Sequence, residues 1–264
     1  MNIALSTIVL FFLLIPGILF RRFYYSEEFS REYFKSTFFE VFISTILPSL
    51  ILQLIWYIFA KLICQHVDLN ILADLVSAKP SEETFLNIQN NSVKIIVYNI
   101  SLFTFSSVTG FYCKQIVRKY KWDRRYKYLR YQNSWHYILK GEFFDFPRAD
   151  ISLEKDEVED IEFVFVDVIV QIGGESYLYD GLLVDYELSK DGGLETLSIK
   201  NAQRRKLSHD SEIGKEREKS DNSSNYYPIM GHILLLKYSE MKNLNFSYYR
   251  LDQTADVLRP RMVE

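Results

Sequence analysis

The sequence predicts a membrane domain of three transmembrane α-helices followed by a small antiparallel β-barrel domain on the cytoplasmic side. Three observations lead there. Residues 3–20, 41–64 and 95–113 are apolar runs of 18, 24 and 19 residues. Lys and Arg are spread unevenly around those runs. Beyond residue 161 the hydrophobic pattern shortens to strand-length stretches punctuated by glycine turns. Whole-chain averages hide the division, since 48% hydrophobic and 25% charged residues with a formal net charge of −3 would suit a water-soluble protein. The parts divide as a transmembrane domain with juxtamembrane helices (residues 1–131), a connector (132–160) and a barrel domain (161–264) with a flexible insertion at 203–225.

A hydrocarbon layer of about 30 Å takes about 20 helical residues at 1.5 Å each, so each run is long enough to span. Arg21, Arg22, Arg31 and Lys35 follow the first run. Lys114, Arg118, Lys119, Lys121, Arg124, Arg125, Lys127 and Arg130 follow the third. The intervening stretch 65–94 has only Lys79 and Lys94, set among Asp68, Asp74, Glu82 and Glu83. The positive-inside rule then puts the first loop and everything after the third run in the cytoplasm, and the N-terminus outside. The first run lacks a basic n-region and ends in Phe20-Arg21-Arg22 without a small-residue cleavage site, which reads as an uncleaved anchor. Cys64 would sit at the outer end of the second span and Cys113 at the inner end of the third, on opposite sides of the membrane, which argues against a disulfide within one chain.

Residues 21–40 carry Phe23, Tyr24, Tyr25, Phe29, Tyr33, Phe34, Phe38 and Phe39. Ser26-Glu27-Glu28 reads as a helix start, with carboxylates at the positive end of the dipole. An amphipathic helix at headgroup level fits this segment, and an aromatic interface belt is the plainer form of the same idea. After the third run, eight cations in residues 114–130 alternate with Tyr120, Trp122, Tyr126, Tyr128 and Tyr131. That mixture would serve an anionic lipid, a phosphate or an oligonucleotide, or it marks only the cytoplasmic end of a span. The acidic stretch that follows, with Asp150, Glu154, Asp156, Glu157, Glu159 and Asp160, offers partial neutralisation.

The β pattern opens with the β-branched and aromatic run 163–170, which ends at the turn Gly173-Gly174. Residues 176–179, a bend at Asp180-Gly181, residues 182–188, a turn at Asp191-Gly192-Gly193 and residues 194–199 complete four short strands. Such strands joined by tight turns indicate a small antiparallel barrel. Residues 203–225, rich in Lys, Glu, Ser, Asp and Asn, cannot bury a core and read as a loop. Residues 226–229, 233–238 and 246–251 supply the closing strands.

The run from Glu175 through Tyr177, Leu178, Tyr179, Asp180, Gly181 and Tyr186, a turn, then Leu194 to Ala202, resembles the Sm-like and SH3-like small barrels. In those a glycine, here Gly181, lets one strand bend sharply. With three spans and Ser134-Trp135-His136-Tyr137 ahead of the barrel, the layout resembles a bacterial family of three-span membrane proteins. It is also similar to the channel effector subunit of Hailong-type antiphage defence. The resemblance implies a homo-oligomer in the bacterial inner membrane, a nucleotide or DNA/RNA oligomer ligand, and a partner nucleotidyltransferase.

No Gly-rich phosphate loop, Cys/His metal spacing or nucleophile elbow occurs, so no catalytic residue, metal ligand or cofactor is expected and the chain reads as a non-enzyme. His66, His136, His209 and His232 are scattered, and Asp180 reads as a turn residue. The third run contains Asn99, Ser101, Thr104, Ser106, Ser107 and Thr109, with Asn99, Ser106 and Cys113 repeating every seven residues. That face would line a pore in a ring of subunits, or pack inside one subunit. Pro16-Gly17 and Pro48 are candidate kinks.

Two functions follow. One is an oligomeric channel whose cytoplasmic part senses a nucleotide or oligonucleotide at Lys114, Arg118, Lys119, Lys121, Arg124 and Arg125, or at Lys200, Arg204, Arg205 and Lys206 on the barrel's edge. The other is a membrane-anchored adaptor whose barrel binds a protein partner. A lipid-directed enzyme has no residues to recommend it.

Overall fold

The computed structural model describes residues 2–30, 37–63, 69–77, 81–149, 158–189, 192–209, 226–252 and 259–262. Cys64, His66, Tyr33, Phe34, most of the acidic stretch 150–160 and most of the insertion lie outside them. The chain divides into two compact units, Met1–Asp123 and Arg124–Glu264.

In the first unit three helices are long and apolar enough to cross a membrane: α1 (Asn2–Tyr24), α2 (Phe38–Leu62) and, later in the chain, α5 (Ser92–Lys119). Helices α1 and α5 overrun their apolar runs at both ends, while α2 begins three residues before its run and ends at Leu62, because a helix ends where its backbone groups find other partners rather than where hydropathy falls. At the start of α2, Thr37 and Glu40 form a reciprocal capping box: the Glu40 amide donates to Thr37 Oγ1 at 3.3 Å and the Thr37 amide to Glu40 Oε2 at 2.9 Å. Between α2 and α5 lie two short helices, α3 (Leu69–Val76) and α4 (Glu82–Asn90), where the sequence pattern had indicated only a connection.

Helix α1 packs against both α2 and α5. Small residues make this possible. A Cβ placed on Gly17 would lie 2.3 Å from the Thr45 carbonyl oxygen, and one on Gly110 would lie 2.3 Å from that of Phe20. Pro16 has no amide hydrogen to give, and the polar side chains of α2 serve the backbone around it. The Leu13 carbonyl accepts from Ser49 Oγ at 2.5 Å and from Gln53 Nε2 at 2.5 Å, while the Gly17 amide donates to Ser49 Oγ at 3.4 Å. Thr45, Ser49 and Ser106 are buried, whereas Phe11, Phe12, Leu47, Leu54, Ile96 and Ile100 are exposed. Small and polar inside, large and apolar outside is the arrangement a hydrocarbon solvent calls for.

The second unit is an antiparallel sheet with helical turns packed on it. Its strands are β1 (Phe163–Ile172), β2 (Glu175–Leu188), β3 (Leu194–Lys206), β4 (Tyr227–Pro228), β5 (Leu234–Lys237), β6 (Met241–Asp252) and β7 (Arg259–Met262). The order is β4-β3-β2-β1-β6-β7, with β5 also on β3. Gly173 and Gly174, at φ 61° and 83°, make the two-residue β1–β2 turn. The bend expected at Asp180-Gly181 does not end a strand: β2 runs through it as one element, with its register against β3 shifting between Asp180 and Leu182. Asn201 on β3, at φ 53°, sits at that irregularity. Strand β3 also continues to Lys206, so residues 203–206, expected in the flexible insertion, are paired with Tyr177–Asp180 instead.

The sheet is curled. Four strand spacings separate β5 from β6 along the ladder, about 19 Å if flat. The link from Lys237 to Met241, through the 3₁₀ turn Tyr238–Glu240, reaches about 14 Å at most. The strands therefore wrap around one core containing Val166, Val168, Tyr179, Leu197, Ile199 and Leu236. Among the described residues no ladder joins β5 to β6, so the closed barrel expected from the sequence is not formed. All four residues of β5 are engaged with β3.

Residues expected to be a connector fold onto this sheet. The one-turn helix α6 (Trp122–Arg125) precedes α7 (Ser134–Leu139), which Asn133 caps by accepting the His136 amide at 3.1 Å. Leu139 joins the sheet core, and the Tyr248 hydroxyl donates to the Ile138 carbonyl at 2.7 Å. Burial raises the Tyr248 phenol above its ordinary value.

Candidate functional site

The cations after the third span divide into committed and outward ones. Lys114 is on the α5 face that also carries Leu102, Ser106 and Gly110, so its ammonium is drawn inward. Its side chain is 3% exposed, with Nζ 2.6 Å from Glu27 Oε2 and 3.8 Å from Glu28 Oε2. It also donates to the Ser26 carbonyl at 3.1 Å and lies 5.6 Å from the centre of the Phe29 ring. Ser26-Glu27-Glu28 does start a helical turn as the spacing suggests, the 3₁₀ segment Glu27–Phe29. Glu27 holds φ 56° there, and the hydrogen bond from Lys114 keeps its carboxyl below the ordinary carboxylate value. Arg118 also lies over the buried Phe29 ring, 5.4 Å from its centre, and pairs with buried Asp123 at 2.7 Å.

In the second unit Arg124 pairs with Asp145 at 2.5 Å and Glu142 at 2.9 Å, and its carbonyl accepts from Arg130 at 3.1 Å. Lys114, Arg118 and Arg124, expected as anion ligands, thus hold carboxylates of their own chain. Lys119 and Arg125 are exposed, beside the Tyr120 ring at 5.9 Å and the Tyr126 ring at 5.7 Å. Lys121 is half-buried at φ 55°.

Register separates the cations of β3. Arg204 and Lys206 lie opposite Tyr179 and Tyr177, while Arg205 lies opposite Leu178, so they point to different faces. Lys206 is salt-bridged to Glu175, whose hydrogen bond raises the ammonium above its ordinary value; Glu175 also accepts from the Tyr177 hydroxyl at 3.0 Å. Arg204 stands 5.9 Å from the Tyr177 ring and Arg205 5.3 Å from that of Tyr226. Lys200 is exposed beyond the irregularity at Asn201.

Four neutral polar side chains of α5 are satisfied by their own helix. Asn99 donates to the Ile95 carbonyl at 2.8 Å, Ser101 to Tyr98 at 2.8 Å, Ser106 to Leu102 at 2.8 Å and Ser107 to Phe103 at 2.9 Å. Ser106 has no exposed surface and is packed within the chain. Asn99 and Cys113 are half-buried.

One cluster has no counterpart among the sequence candidates. Asp167 on β1 and Asp180 on β2 are direct cross-strand partners, and Asn245 on β6 donates to Asp167 Oδ2 at 3.1 Å. Asp180 is therefore a strand residue, not a turn residue. Its carboxyl is raised above the ordinary value, first by burial and then by the charge of Asp167. The signal was there to use: both residues stand equally far from Gly173-Gly174, so a two-residue hairpin must bring them together.

Among the described residues no group of three or more His, Cys, Asp or Glu is placed to hold a metal ion. Family models, curated proteins and solved structures return no match to the chain.

Proposed function

We propose that this chain is a membrane effector. It sits in the bacterial inner membrane with its N-terminus outside and its sheet domain in the cytoplasm, and assembles as a homo-oligomeric ion channel gated by a nucleotide or oligonucleotide in antiphage defence. It is not an enzyme, and a nucleotidyltransferase would supply the signal. The observation that carries this reading is the pairing of three bilayer-length helices with a separate folded domain, the cations Lys119, Lys121 and Arg125 falling where the two meet in sequence. The curled sheet is read as a small barrel of the Sm-like or SH3-like kind. Supporting that is the strand order β6-β1-β2-β3-β5, with a 3₁₀ turn linking β5 to β6.

A membrane-anchored adaptor is the second reading, and the inward-satisfied polar groups of α5 favour it. Ser106 needs no water, and neither do Ser101 or Ser107. Ion flux into proteoliposomes carrying an entrapped fluorescent indicator separates the two. A channel passes ions when an oligonucleotide is added, and the triple variant Lys119→Gln, Lys121→Gln, Arg125→Gln loses that response. Absence of flux under every nucleotide tried, from a monomer in detergent, would end the channel reading.

A further inference from the structure

Helix α4 leaves two large apolar side chains outside and turns a threonine inward. Thr84 is turned inward at 4% exposure, while the neighbouring Phe85 and Leu86 are 53% and 58% exposed. This is not a loosely held segment. Ser81 and Thr84 form a reciprocal cap, with the Thr84 amide donating to Ser81 Oγ at 3.1 Å and the Ser81 amide to Thr84 Oγ1 at 3.3 Å. Thr84 Oγ1 then donates to Asp74 Oδ2 of α3 at 2.8 Å, and Ser6 Oγ of α1 contacts the Leu75 carbonyl at 3.5 Å. Thr84 of α4 is thus tied to α3, and α3 to the first span, which fixes the opposite face, with Phe85 and Leu86 between Glu82 and Gln89, outward.

What that face meets follows from its position in the chain. A single residue, Asn91, separates α4 from α5, and the first turns of α5 expose Val93, Ile96 and Val97. These belong to a helix long and apolar enough to span. Lys94, exposed in the first turn of α5, marks the level at which a cation reaches for headgroups. Helix α4 therefore ends at the bilayer boundary, with the exposed Phe85 and Leu86 about one turn before its end. The acidic pair Glu82 and Glu83 stands in its first turn. Glu82 is on the same side as Phe85 and Leu86, one turn earlier, and would stay among the headgroups while the aromatic and the leucine reach the acyl chains, as such residues do in helices lying in the interfacial plane.

We infer that α3 and α4 form an in-plane lipid foot: Phe85 and Leu86 insert into the leaflet on their side of the membrane, at the depth of the glycerol backbone and upper acyl carbons. The occupant of this face is phospholipid. A second copy of the chain is the alternative that the test must separate. The inference rests on reading α5 as a membrane span and does not depend on channel activity.

The experiment places single cysteines by Phe85→Cys, Leu86→Cys, Glu83→Cys and Val97→Cys in the full chain carrying Cys64→Ser and Cys113→Ser. Each is labelled with an environment-sensitive fluorophore and reconstituted into phosphatidylcholine nanodiscs. Labels at 85 and 86 should emit to the blue of that at 83 and lose intensity when lipids carry a nitroxide at an upper acyl carbon; the label at 83 should instead lose intensity to aqueous iodide. Iodide quenching at 85 and 86 equal to that at 83 overturns the inference. So does blue-shifted emission that neither iodide nor nitroxide lipid affects, since protein then covers the face. The Val97 label keeps the two layers apart: lipid contact at 97 without contact at 85 sinks only the foot, whereas water contact at 97 sinks the span itself.

Discussion

Gly110→Ala is a one-atom test of how the spans pack. Its new Cβ would stand 2.3 Å from the Phe20 carbonyl oxygen, 3.0 Å from its carbonyl carbon and 3.1 Å from its Cα, all backbone atoms that no rotamer change can move. Ordinary contact requires α1 and α5 to separate by about 1 Å, a gap that forfeits a quarter to a half of the dispersion energy of the atoms facing across it. Leu102, Ser106, Lys114 and Val117 share that stripe and lose contact together. Overpacking of this kind costs about 1–3 kcal/mol. Working against it, alanine is favoured over glycine within a helix by about 1 kcal/mol. The steric term should win, for a net loss of about 1–2 kcal/mol. Thermal unfolding in detergent, followed by tryptophan emission, reads this directly, because Trp56 of α2 stacks on Phe105 of α5 at 4.8 Å. Thr104→Ala, at an exposed α5 position, serves as the control. If Gly110→Ala melts with or above the unaltered protein, the close approach of α1 and α5 is wrong.

Asp180→Asn should stabilise the sheet unit at neutral pH by about 0.2–1 kcal/mol, the usual range for relieving like charges directly across a ladder. With its folded pKa raised, Asp180 binds more protons folded than unfolded. Stability of the unaltered chain must fall as pH rises from the ordinary carboxylate value through the raised one, and the variant should flatten that slope in a denaturant series. Glu27 has the opposite sign. Its depressed pKa contributes stability that is present above the ordinary carboxylate value and lost as pH falls through the folded one. Lys114→Met should therefore remove that part of the acid dependence, with little loss at neutral pH because the Glu27 side chain is largely exposed. Ser49→Ala should cost about 0.6 kcal/mol, the mean for interhelical hydrogen bonds in membranes. Adding Gln53→Leu strips the Leu13 carbonyl of both side-chain donors, so the double variant should lose more than the two single losses combined, as measured by unfolding in detergent.

The spans were legible because hydropathy is local and additive: twenty apolar residues announce a span whatever surrounds them. Partners are not local. Nothing near Lys114 in sequence reveals that its counter-charge is Glu27, 87 positions away, so a committed cation and an open one look alike. The same holds for Ser106, whose seven-residue repeat with Asn99 and Cys113 suits a pore and a buried seam equally. Helices α3 and α4 escaped because they are short, 8 and 9 residues, and are held by contacts with each other and with α1, such as that of Thr84 with Asp74, which hydropathy does not show. The strands were found by their alternation and turns, but their lengths were set by ladder partners: β2 runs through Gly181 because β3 needs a close backbone approach there, and β3 reaches Lys206 because Tyr177 is opposite.

The close embrace of α1 by α2 and α5 bears on the order in which the protein is made. Helix α1 leaves the ribosome before either partner, and the hydrogen-bond donors for its Leu13 carbonyl, Ser49 and Gln53, arrive only with α2. Its other flank, at Phe20, finds Gly110 only when α5 is complete. Until then the first helix lacks those partners. The salt bridge from Lys114 to Glu27, made from the end of the last span back to the end of the first, is then a seal that forms only on a finished bundle.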